Sequence, residues 1–383
     1  MNVIEITKQL ISIPSYVNNS VNESNIGTFL FDFCKSTFPN LQIQKQYVDK
    51  EKNRFNVYCS GSKNVTVLFL AHIDTVQPTQ GWKTNPLLPV VKNNRIFGLG
   101  AGDMKGSIAC LLKGLQEVKD SVNFENIGIL FYVDEEYDFL GMKTFIKDYL
   151  PNKPKVVFSL DGDLQVASGC RGVIELQIIF TGKSAHSSKP FLGINAATRT
   201  VSLVNELEKK LMQFFDPYLG PTTVNLAYMQ GGTRLQEESS VTWQREGNVV
   251  PDVAEITLEI RPSLRSVSAD FVRKKIKALS KSLGLKVESL TIRHDIHPWP
   301  VTFRKKDIKL LQAAYSKTGI PFQMTSRTFS GYVDIQMLSE KLTCPMFVIG
   351  AGGENYHGAN ENVPIPNLMK AARLYEEILK KYC

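Results

Sequence analysis

The stretch VTVLFLAHID, residues 65–74, decides the fold class of this chain. Residues 65–71 form a nearly continuous apolar run, and His72 and Asp74 follow it at once. Such a run is typical of a strand that is covered on both faces, as in a mostly parallel sheet. Three similar runs predict three more strands of this sheet, at 127–133, 156–160 and 346–350.

Apolar residues at helical spacing lie between and beside these strands. They predict helices over 26–38 and 108–118 and a last helix over about 367–382. Shorter β-like runs at 41–48 and 55–59 add two strands. The mixture of buried strands and helices along the chain predicts α/β architecture.

The middle of the chain has a different pattern. At 174–180 and 254–260, apolar residues alternate with polar ones, so these two strands each have one open face. Other segments complete the β-α-β-β-α-β order of a ferredoxin-like fold, namely helices near 194–211 and 269–283 and strands near 222–229 and 287–292. Because 383 residues are too many for one compact core, we expect two domains. They are a discontinuous domain at 1–169 and 295–383 and an inserted domain at 170–294.

Composition and charge place the chain among ordinary globular proteins. Neither a signal-peptide core at the start nor an apolar run of ~18 residues is present, so we expect neither export nor a membrane span. The net charge of +8 comes from 45 basic and 37 acidic residues without a long basic run, which favours a solvated surface over nucleic-acid binding. The six cysteines lack paired spacing, as expected for reduced thiols in a cytoplasmic protein.

Acidic residues and histidines follow the predicted buried strands. His72 and Asp74 follow the first strand, residues 134–136 (Asp-Glu-Glu) follow the second, and Asp161 follows the third. Because sites in open α/β sheets form outside the carboxyl ends of the strands, we expect these side chains to converge at one edge. Histidine and carboxylate ligands suit zinc, and carboxylates can bridge two ions.

Two further residues join this set. Asp103 lies between a glycine-rich turn and a helix start, and His357 lies in a loop after the fourth apolar run. Each residue alone has a simpler interpretation, since Asp103 could cap the helix and Glu135 with Glu136 could be an exposed acidic pair. It is their convergence that favours a metal site.

Six short motifs occur in one order along the chain. They are HIDT at 72–75, GLGAGDMKGS at 98–107, DEE at 134–136, GKSAHSSKP at 182–190, GNVVPD at 247–252 and YHGANENV at 356–363. The set resembles the metallopeptidase and deacylase family that contains acetylornithine deacetylase, succinyl-diaminopimelate desuccinylase, aminoacylase and glutamate carboxypeptidase. The resemblance covers essentially the whole chain.

The resemblance implies two zinc ions per chain, with Co²⁺ or Mn²⁺ as substitutes. It implies five metal ligands: Asp103 as the bridge, His72 and Asp161 on one ion, and Glu136 and His357 on the other. Glu135 would be the general base that takes a proton from the metal-bridging water. Asp74 would hydrogen-bond the His72 ring, since residues i and i+2 of a strand point the same way. The peptide bond between Asp103 and Met104 would be cis.

The resemblance also makes the inserted domain a lid that forms a homodimer. Asn248 and Arg261 match positions that hold the substrate's carboxylate, a task that suits the fork of an arginine. His186 matches histidines that polarise the scissile carbonyl in the active site of the other subunit. From the residues alone, a lone histidine such as His186 has a simpler interpretation as a structural cap.

The sequence departs from the family in several places. Many relatives have Glu-Pro where this chain has Asp161 and Gly162, although aspartate is also an oxygen ligand. The loop at 330–334 (SGYVD) lacks the small hydroxyl pair of the desuccinylase, which argues against a succinyl substrate. Within it, Asp334 could support the site or cap the following helix. His294 and His297 lie near the expected boundary of the inserted domain, and a structural role is the simpler interpretation of both.

The sequence therefore predicts a zinc-dependent amidohydrolase that cleaves an N-acyl amino acid in the manner of acetylornithine deacetylase. The stretch from Trp82 through the glycine-rich motif resembles that branch. A dipeptidase or carboxypeptidase of the same family is the alternative, because the chemistry is shared and only the pocket differs. A non-catalytic binding protein on this fold is disfavoured, because Glu135 and all five ligand candidates are present.

Overall fold

A computed structural model of the protein describes residues 1–148, 150, 154–236, 241–244, 247–300, 303–324 and 333–383. The described residues form two compact units. The first holds those of Met1–Ser168, Thr302–Ser326 and Val333–Cys383, and the second holds those of Gly169–Val301. The roles expected for the two parts of the chain, a catalytic domain and a lid, stay predictions.

Helices and strands alternate through much of the chain. The helices are α1 (Val3–Ile11), α2 (Ser24–Thr37), α3 (Gly106–Val118), α4 (Leu140–Asp148), α5 (Ala196–Leu211), α6 (Ala269–Ser282), α7 (Lys305–Tyr315), α8 (Ile335–Leu338) and α9 (Ile365–Tyr382). The strands are β1 (Gln42–Asp49), β2 (Arg54–Ser60), β3 (Val67–His72), β4 (Val90–Lys92), β5 (Arg95–Phe97), β6 (Ile127–Tyr132), β7 (Val156–Ser159), β8 (Val173–Thr181), β9 (Phe215–Asp216), β10 (Gly220–Pro221), β11 (Thr223–Gln236), β12 (Val241–Gln244), β13 (Val253–Arg261), β14 (Lys286–Ile296), β15 (Met346–Val348) and β16 (Asn362–Pro364).

The first unit is built on a six-stranded sheet of order β1-β2-β6-β3-β7-β15. The strands β6, β3, β7 and β15 are parallel to one another, and β2 and β1 continue the sheet in antiparallel pairing. Every residue of β3, β6, β7 and β15 is buried, which confirms that uniformly apolar runs here are strands covered on both faces. The mostly parallel α/β architecture is therefore confirmed.

Aromatic stacking ties the parallel strands together inside the core. The Phe158 ring on β7 stacks on Phe69 of β3, with centroids 5.3 Å apart, and on Phe347 of β15, at 5.8 Å. Tyr382, at the end of α9, meets Phe158 edge-on at 5.3 Å. Offset and edge-on contacts of this kind stabilise a core beyond the area that they bury. The packing holds the three strands in the register that aligns their carboxyl ends.

The second unit contains a five-stranded antiparallel sheet of order β12-β11-β13-β8-β14. Inward-facing residues of β8 and β13, such as Leu176 and Leu258, are buried with apolar residues of α5 and α6, such as Leu207 and Ile276. The order β8-α5-β11-β13-α6-β14 is the β-α-β-β-α-β pattern, so the ferredoxin-like topology is confirmed. The short strand β12 extends this sheet beside β11.

Several elements differ from the sequence-based expectation. The helices α1, α4, α7 and α8 and the small sheet β16-β5-β4 were not predicted, because their apolar patterns are short. The strand β11 runs seven residues past the predicted end at Met229, since β13 and then β12 pair with a stretch whose Gln230, Gly231 and Gly232 break the alternation. The described cysteines form no disulfide. Among the described residues, no helix has the length and apolar character needed to cross a membrane.

Candidate active site

Three buried strands deliver the candidate site residues to one edge of the central sheet. His72 is the last residue of β3 and pairs in register with Tyr132, the last residue of β6. Glu135 and Glu136 follow β6, and Asp161 comes two residues after the end of β7. Because β3, β6 and β7 are parallel neighbours, these side chains share the edge at the carboxyl ends of the strands.

Asp103 and two histidines form the centre of this cluster. The Nε2 atom of His72 lies 3.0 Å from Oδ1 of Asp103, and Nε2 of His357 lies 3.3 Å from Oδ2 of the same carboxylate. His357 Nε2 is also 3.2 Å from Oε2 of Glu136. Asp103 thus has one histidine on each carboxylate oxygen, the arrangement expected of a residue that bridges two metal ions.

Asp74 orients the His72 ring by contacts with Nδ1, the nitrogen that does not face Asp103. The Nδ1 atom of His72 is 3.2 Å from the backbone oxygen of Asp74 and 3.6 Å from its carboxylate Oδ1. With a proton on Nδ1, this ring donates to Asp74, and its Nε2 atom faces Asp103. The other carboxylate oxygen of Asp74 accepts the backbone N–H of Glu136 at 2.9 Å. Asp74 therefore links the two strand ends that carry His72 and Glu136.

The carboxylates at this edge crowd one another. Burial and the neighbouring charge of Asp103 raise the pKa of Asp161 to about 7. The pKa of Glu135 is raised by burial and then by the charge of Asp334, and burial likewise raises the pKa of Glu136. Burial is the larger cause of the pKa shifts of Asp161 and Glu135, and the charges of nearby acidic groups add to it.

The histidines counteract part of this negative charge. Hydrogen bonds with Asp103 and then Glu136 raise the pKa of His357 to about 10. Burial alone would lower the pKa of His72, but its hydrogen bonds with Asp103 and Asp74 outweigh burial and leave the pKa well above the ordinary value. Burial would raise the pKa of Asp103, yet the two histidines hold it far below the usual range. Cations would therefore stabilise this group of carboxylates, because the histidines offset only part of the negative charge.

The donor set fits divalent metal ions of the zinc type. One ligand atom each of His72, Asp103 and Glu136 lies within 4.8 Å of the other two, so one ion could contact all three. Imidazole nitrogens and carboxylate oxygens are the ligands that zinc takes in hydrolase sites, and a central carboxylate suits a pair of ions. The net negative charge of the carboxylate cluster supports the same conclusion.

Asp103 itself is held in an irregular turn. The helix α3 begins at Gly106, with Lys105 before it, so the interpretation of Asp103 as a helix cap is wrong. Residues Ala101–Lys105 form a short π-helical turn in which Asp103 departs from helical backbone angles. The peptide bond between Asp103 and Met104 is cis, as predicted.

The candidate residues of the second unit fall into two groups. His186 is exposed, and it pairs with Val249 through a β-bridge while the N–H of Ser187 donates to the backbone oxygen of Asn248 at 2.9 Å. His186 and Asn248 are therefore neighbours before β13 begins at Val253. Arg261 is the last residue of β13, so the structure places it at the opposite end of that strand.

Asp334, the loop around it, His294 and His297 are the other residues that the sequence singled out. Asp334 is buried and makes no side-chain cap to α8, while its charge acts on Glu135, so the capping interpretation is not supported. Residues 330–332 of the loop that argued against a succinyl substrate lie outside the described residues. His294 belongs to β14 of the second unit, and neither it nor His297 is part of the metal-capable cluster found among the described residues.

A buried ion triad behind the site was not foreseen. The guanidinium of Arg54 donates to both carboxylate oxygens of Glu23, at 2.8 and 2.7 Å, and Nη2 also contacts Oδ1 of Asp134. All three side chains are nearly inaccessible to solvent. Asp134, which adopts a left-handed φ of 71°, also accepts the N–H groups of Asp138 and Leu140 at 3.2 Å. The triad therefore fixes the turn that presents Glu135 and Glu136.

A mostly parallel sheet with histidine and carboxylate side chains at its carboxyl edge, in a chain that also contains a ferredoxin-like unit, is an arrangement that suits the class of metal-dependent hydrolases. The family follows from most of the sequence: the chain belongs to Peptidase family M20/M25/M40, whose sequence model matches residues 68–381. The resemblance drawn from the six motifs is confirmed.

Individual relatives differ in what they are named for. A probable carboxypeptidase of Aspergillus clavatus is 32% identical over 272 residues, covering 66% of this chain. The matched region spans 60% of that relative's own length. An acetylornithine deacetylase of Buchnera aphidicola is 24% identical over 397 residues, covering 99% of this chain and 98% of the relative.

A solved structure supports the fold over the whole length. The M20 family metallo-carboxypeptidase Sso-CP2 from Sulfolobus solfataricus has a TM-score of 0.80 with this chain at 18% identity. The match covers 100% of this chain and 99% of that one. At this identity the likeness establishes shared architecture.

We predict that Arg54→Met destabilises the protein by about 3–5 kcal/mol, because Glu23 and Asp134 would remain buried without their cation. Denaturant unfolding of metal-free protein measures this free energy. The control is Arg273→Met, which removes a guanidinium from an exposed pair with Asp270 on α6 and should change stability little. Equal losses in the two variants would contradict a structural role for the triad.

Proposed function

We propose that the protein hydrolyses the amide bond next to the α-carboxylate of an amino acid, with an N-acyl amino acid as the first candidate substrate. The observation that carries the proposal is the contact of Asp103 with both His72 and His357 at the sheet edge that also bears Glu135. A peptide cleaved at its carboxyl end is the second candidate. The named relatives favour both, one as a deacetylase and one as a probable carboxypeptidase.

Five side chains would hold two divalent ions, zinc being the first candidate. They are His72, Asp103, Glu136, Asp161 and His357. When bound, such ions polarise a carbonyl group and lower the pKa of water to near neutrality. The described geometry supports the assignment most directly for His72, Asp103, Glu136 and His357, whose ligand atoms meet within 3.0–3.3 Å.

Glu135 is the proposed general base. It follows β6 directly before Glu136, so it reaches the same edge without being among the close ligand atoms. Burial and the charge of Asp334 raise its pKa, so its carboxylate holds a proton more strongly than an exposed glutamate does. A group of this kind takes a proton from the attacking water and returns it to the leaving amine.

Arg261 is the proposed partner of the substrate's carboxylate. In this structure its Nε and Nη2 atoms donate to the two oxygens of Glu259, at 2.9 and 3.0 Å. Its Nη1 atom is buried and has no hydrogen-bond partner among the described residues. The guanidinium thus keeps donor capacity for a second carboxylate, which both candidate substrates possess.

We expect a substrate panel with metal removal to test the proposal. N-acetyl amino acids and dipeptides should be hydrolysed by zinc-loaded protein, and activity should disappear after chelation and return with Zn²⁺, Co²⁺ or Mn²⁺. Matched substrates with an amidated α-carboxyl group should react much more slowly, because Arg261 would lack its anionic partner. Hydrolysis that persists in metal-free protein, or that ignores amidation, would contradict the proposal.

Substitutions at the adjacent residues Glu135 and Glu136 test their different proposed roles. Glu135→Gln keeps the side-chain shape but cannot accept a proton, so turnover should fall ~10²–10⁴-fold with metal content unchanged. Glu136→Gln should instead lower metal occupancy, because it removes a ligand. Metal analysis and steady-state kinetics on both variants distinguish them. Near-normal turnover in Glu135→Gln would place the base elsewhere.

We also propose a two-fold homodimer through the second unit, in which His186 acts in the site of the partner chain. The support is the length of β13, whose eight-residue rise separates the Arg261 end from the end near Asn248 by roughly 25 Å. A small substrate cannot reach both ends of one strand. If Arg261 and His186 serve the same substrate, they must come from two copies of the chain.

Mixed dimers test this assignment. His186→Ala and Glu135→Gln homodimers should both be nearly inactive, since each lacks one required group in every site. A heterodimer of the two variants has one site with intact Glu135 and an intact partner His186, so up to half of the parent dimer's activity should return. Formation of heterodimers is checked by mass spectrometry under native conditions. Heterodimers that form and remain inactive would exclude the trans assignment.

We further propose a reducing compartment such as the cytoplasm, which six cysteines without a disulfide support. Cell fractionation tests this directly.

A further inference from the structure

Glu361 is a buried acid that none of the predicted roles uses. It lies four residues after His357, and only 2% of it is exposed. Its carboxylate accepts three backbone N–H groups of the glycine-rich loop: that of Gly100 at 2.7 Å, that of Gly102 at 2.8 Å and that of Asp103 at 3.0 Å. The third of these donors is the backbone of the residue at the centre of the site.

The glycine-rich loop is shaped to receive this carboxylate. Gly100 has a left-handed φ of 76°, and in this turn the N–H groups of Gly100, Gly102 and Asp103 meet at one point. Such a concave group of N–H donors binds an anion, and here the anion is the side chain of Glu361. The three hydrogen bonds also explain how a carboxylate can be buried at this position.

The same contact joins two distant segments of the chain. The N–H of Gly98 donates to the backbone oxygen of Glu361 at 3.0 Å. A Cβ atom added to Gly102 would lie 2.8 Å from the Tyr356 ring and 3.1 Å from Cα of Gly353, so the backbones pack closely. One segment carries Asp103 and the other carries His357. Their relative position therefore depends on the contact that Glu361 makes.

We infer that Glu361 is a positioning residue, which sets the separation of Asp103 and His357 and thereby the affinity of the site for divalent metal. The inference rests on the proposed metal centre. It differs from a ligand assignment, because both oxygens of Glu361 are engaged by backbone N–H groups.

Two substitutions of Glu361 should weaken metal binding to different degrees. Glu361→Gln retains one acceptor oxygen and places an amide N–H₂ against at least one backbone donor, whereas Glu361→Ala removes all three bonds. The matched control is Glu354→Gln, because Glu354 lies on the same segment but is exposed and pairs only on the surface, with Arg95 at 2.6 Å. The control removes the same charge without touching the glycine-rich loop.

We expect Glu361→Gln to weaken Zn²⁺ or Co²⁺ binding about 10–100-fold, as supporting partners of metal ligands do, and Glu361→Ala to weaken it further. Glu354→Gln should bind like the parent protein. Titration calorimetry and Co²⁺ absorption spectra measure affinity and ligand geometry. Excess metal should partly restore turnover in Glu361→Gln.

A readout without metal separates this inference from the proposed function. In metal-free protein, hydrogen–deuterium exchange of peptides over residues 98–105 should be faster in Glu361→Gln than in Glu354→Gln. Unchanged exchange together with parent-like metal affinity would overturn the positioning role. The positioning role would also be overturned if Glu361→Gln bound metal more weakly only in proportion to a general loss of thermal stability. A parent protein that binds no divalent metal, with exchange still altered in Glu361→Gln, would instead overturn the metal centre.

Discussion

Repulsion among carboxylates at one edge of the central sheet is the constraint on which the site depends. The fold brings Glu135, Glu136 and Asp161 together because parallel strands end there in register, and the turn before α3 adds Asp103 to them. Buried anions at this density raise one another's pKa unless cations compensate them. The two histidines supply part of that compensation, and bound metal ions would supply the rest. Arg54 contacts Asp134, in the turn before Glu135, and Glu361 accepts backbone N–H groups of the loop that carries Asp103.

The sequence predicted the parts that follow from local pattern. Uniform apolar runs located the parallel strands, and the residues after them located His72, Asp161 and the DEE motif. The pattern could not show Arg54 with Glu23 and Asp134, or Glu361 with the glycine-rich loop, because these partners are 31, 80 and about 260 residues apart. Arginine and glutamate are also residue types that are mostly exposed in proteins, so a pattern does not predict their burial. The one available signal was the position of Glu361 inside the YHGANENV motif.

The second unit shows a different limit of sequence reasoning. Alternation predicted β8 and β13 well, and it correctly implied a sheet with one open face. It gave no information on where His186, Asn248 and Arg261 lie relative to one another. That required the register of β13, which puts Arg261 at one end and the His186 loop at the other. The distance between these two ends follows from the length of β13. It is the basis for the proposal that two chains contribute residues to one site.

The position of β15 has a consequence for how this protein is made. About 190 residues separate β7 from β15, its parallel neighbour, and at ribosomal rates of 5–20 residues per second they take about 10–40 s to synthesise. During that interval the β7 edge has no β15 to pair with, and His357 does not yet exist. Nascent chains therefore have a strand edge open to edge-to-edge association, and the cluster around Asp103 is complete only after His357 has been synthesised.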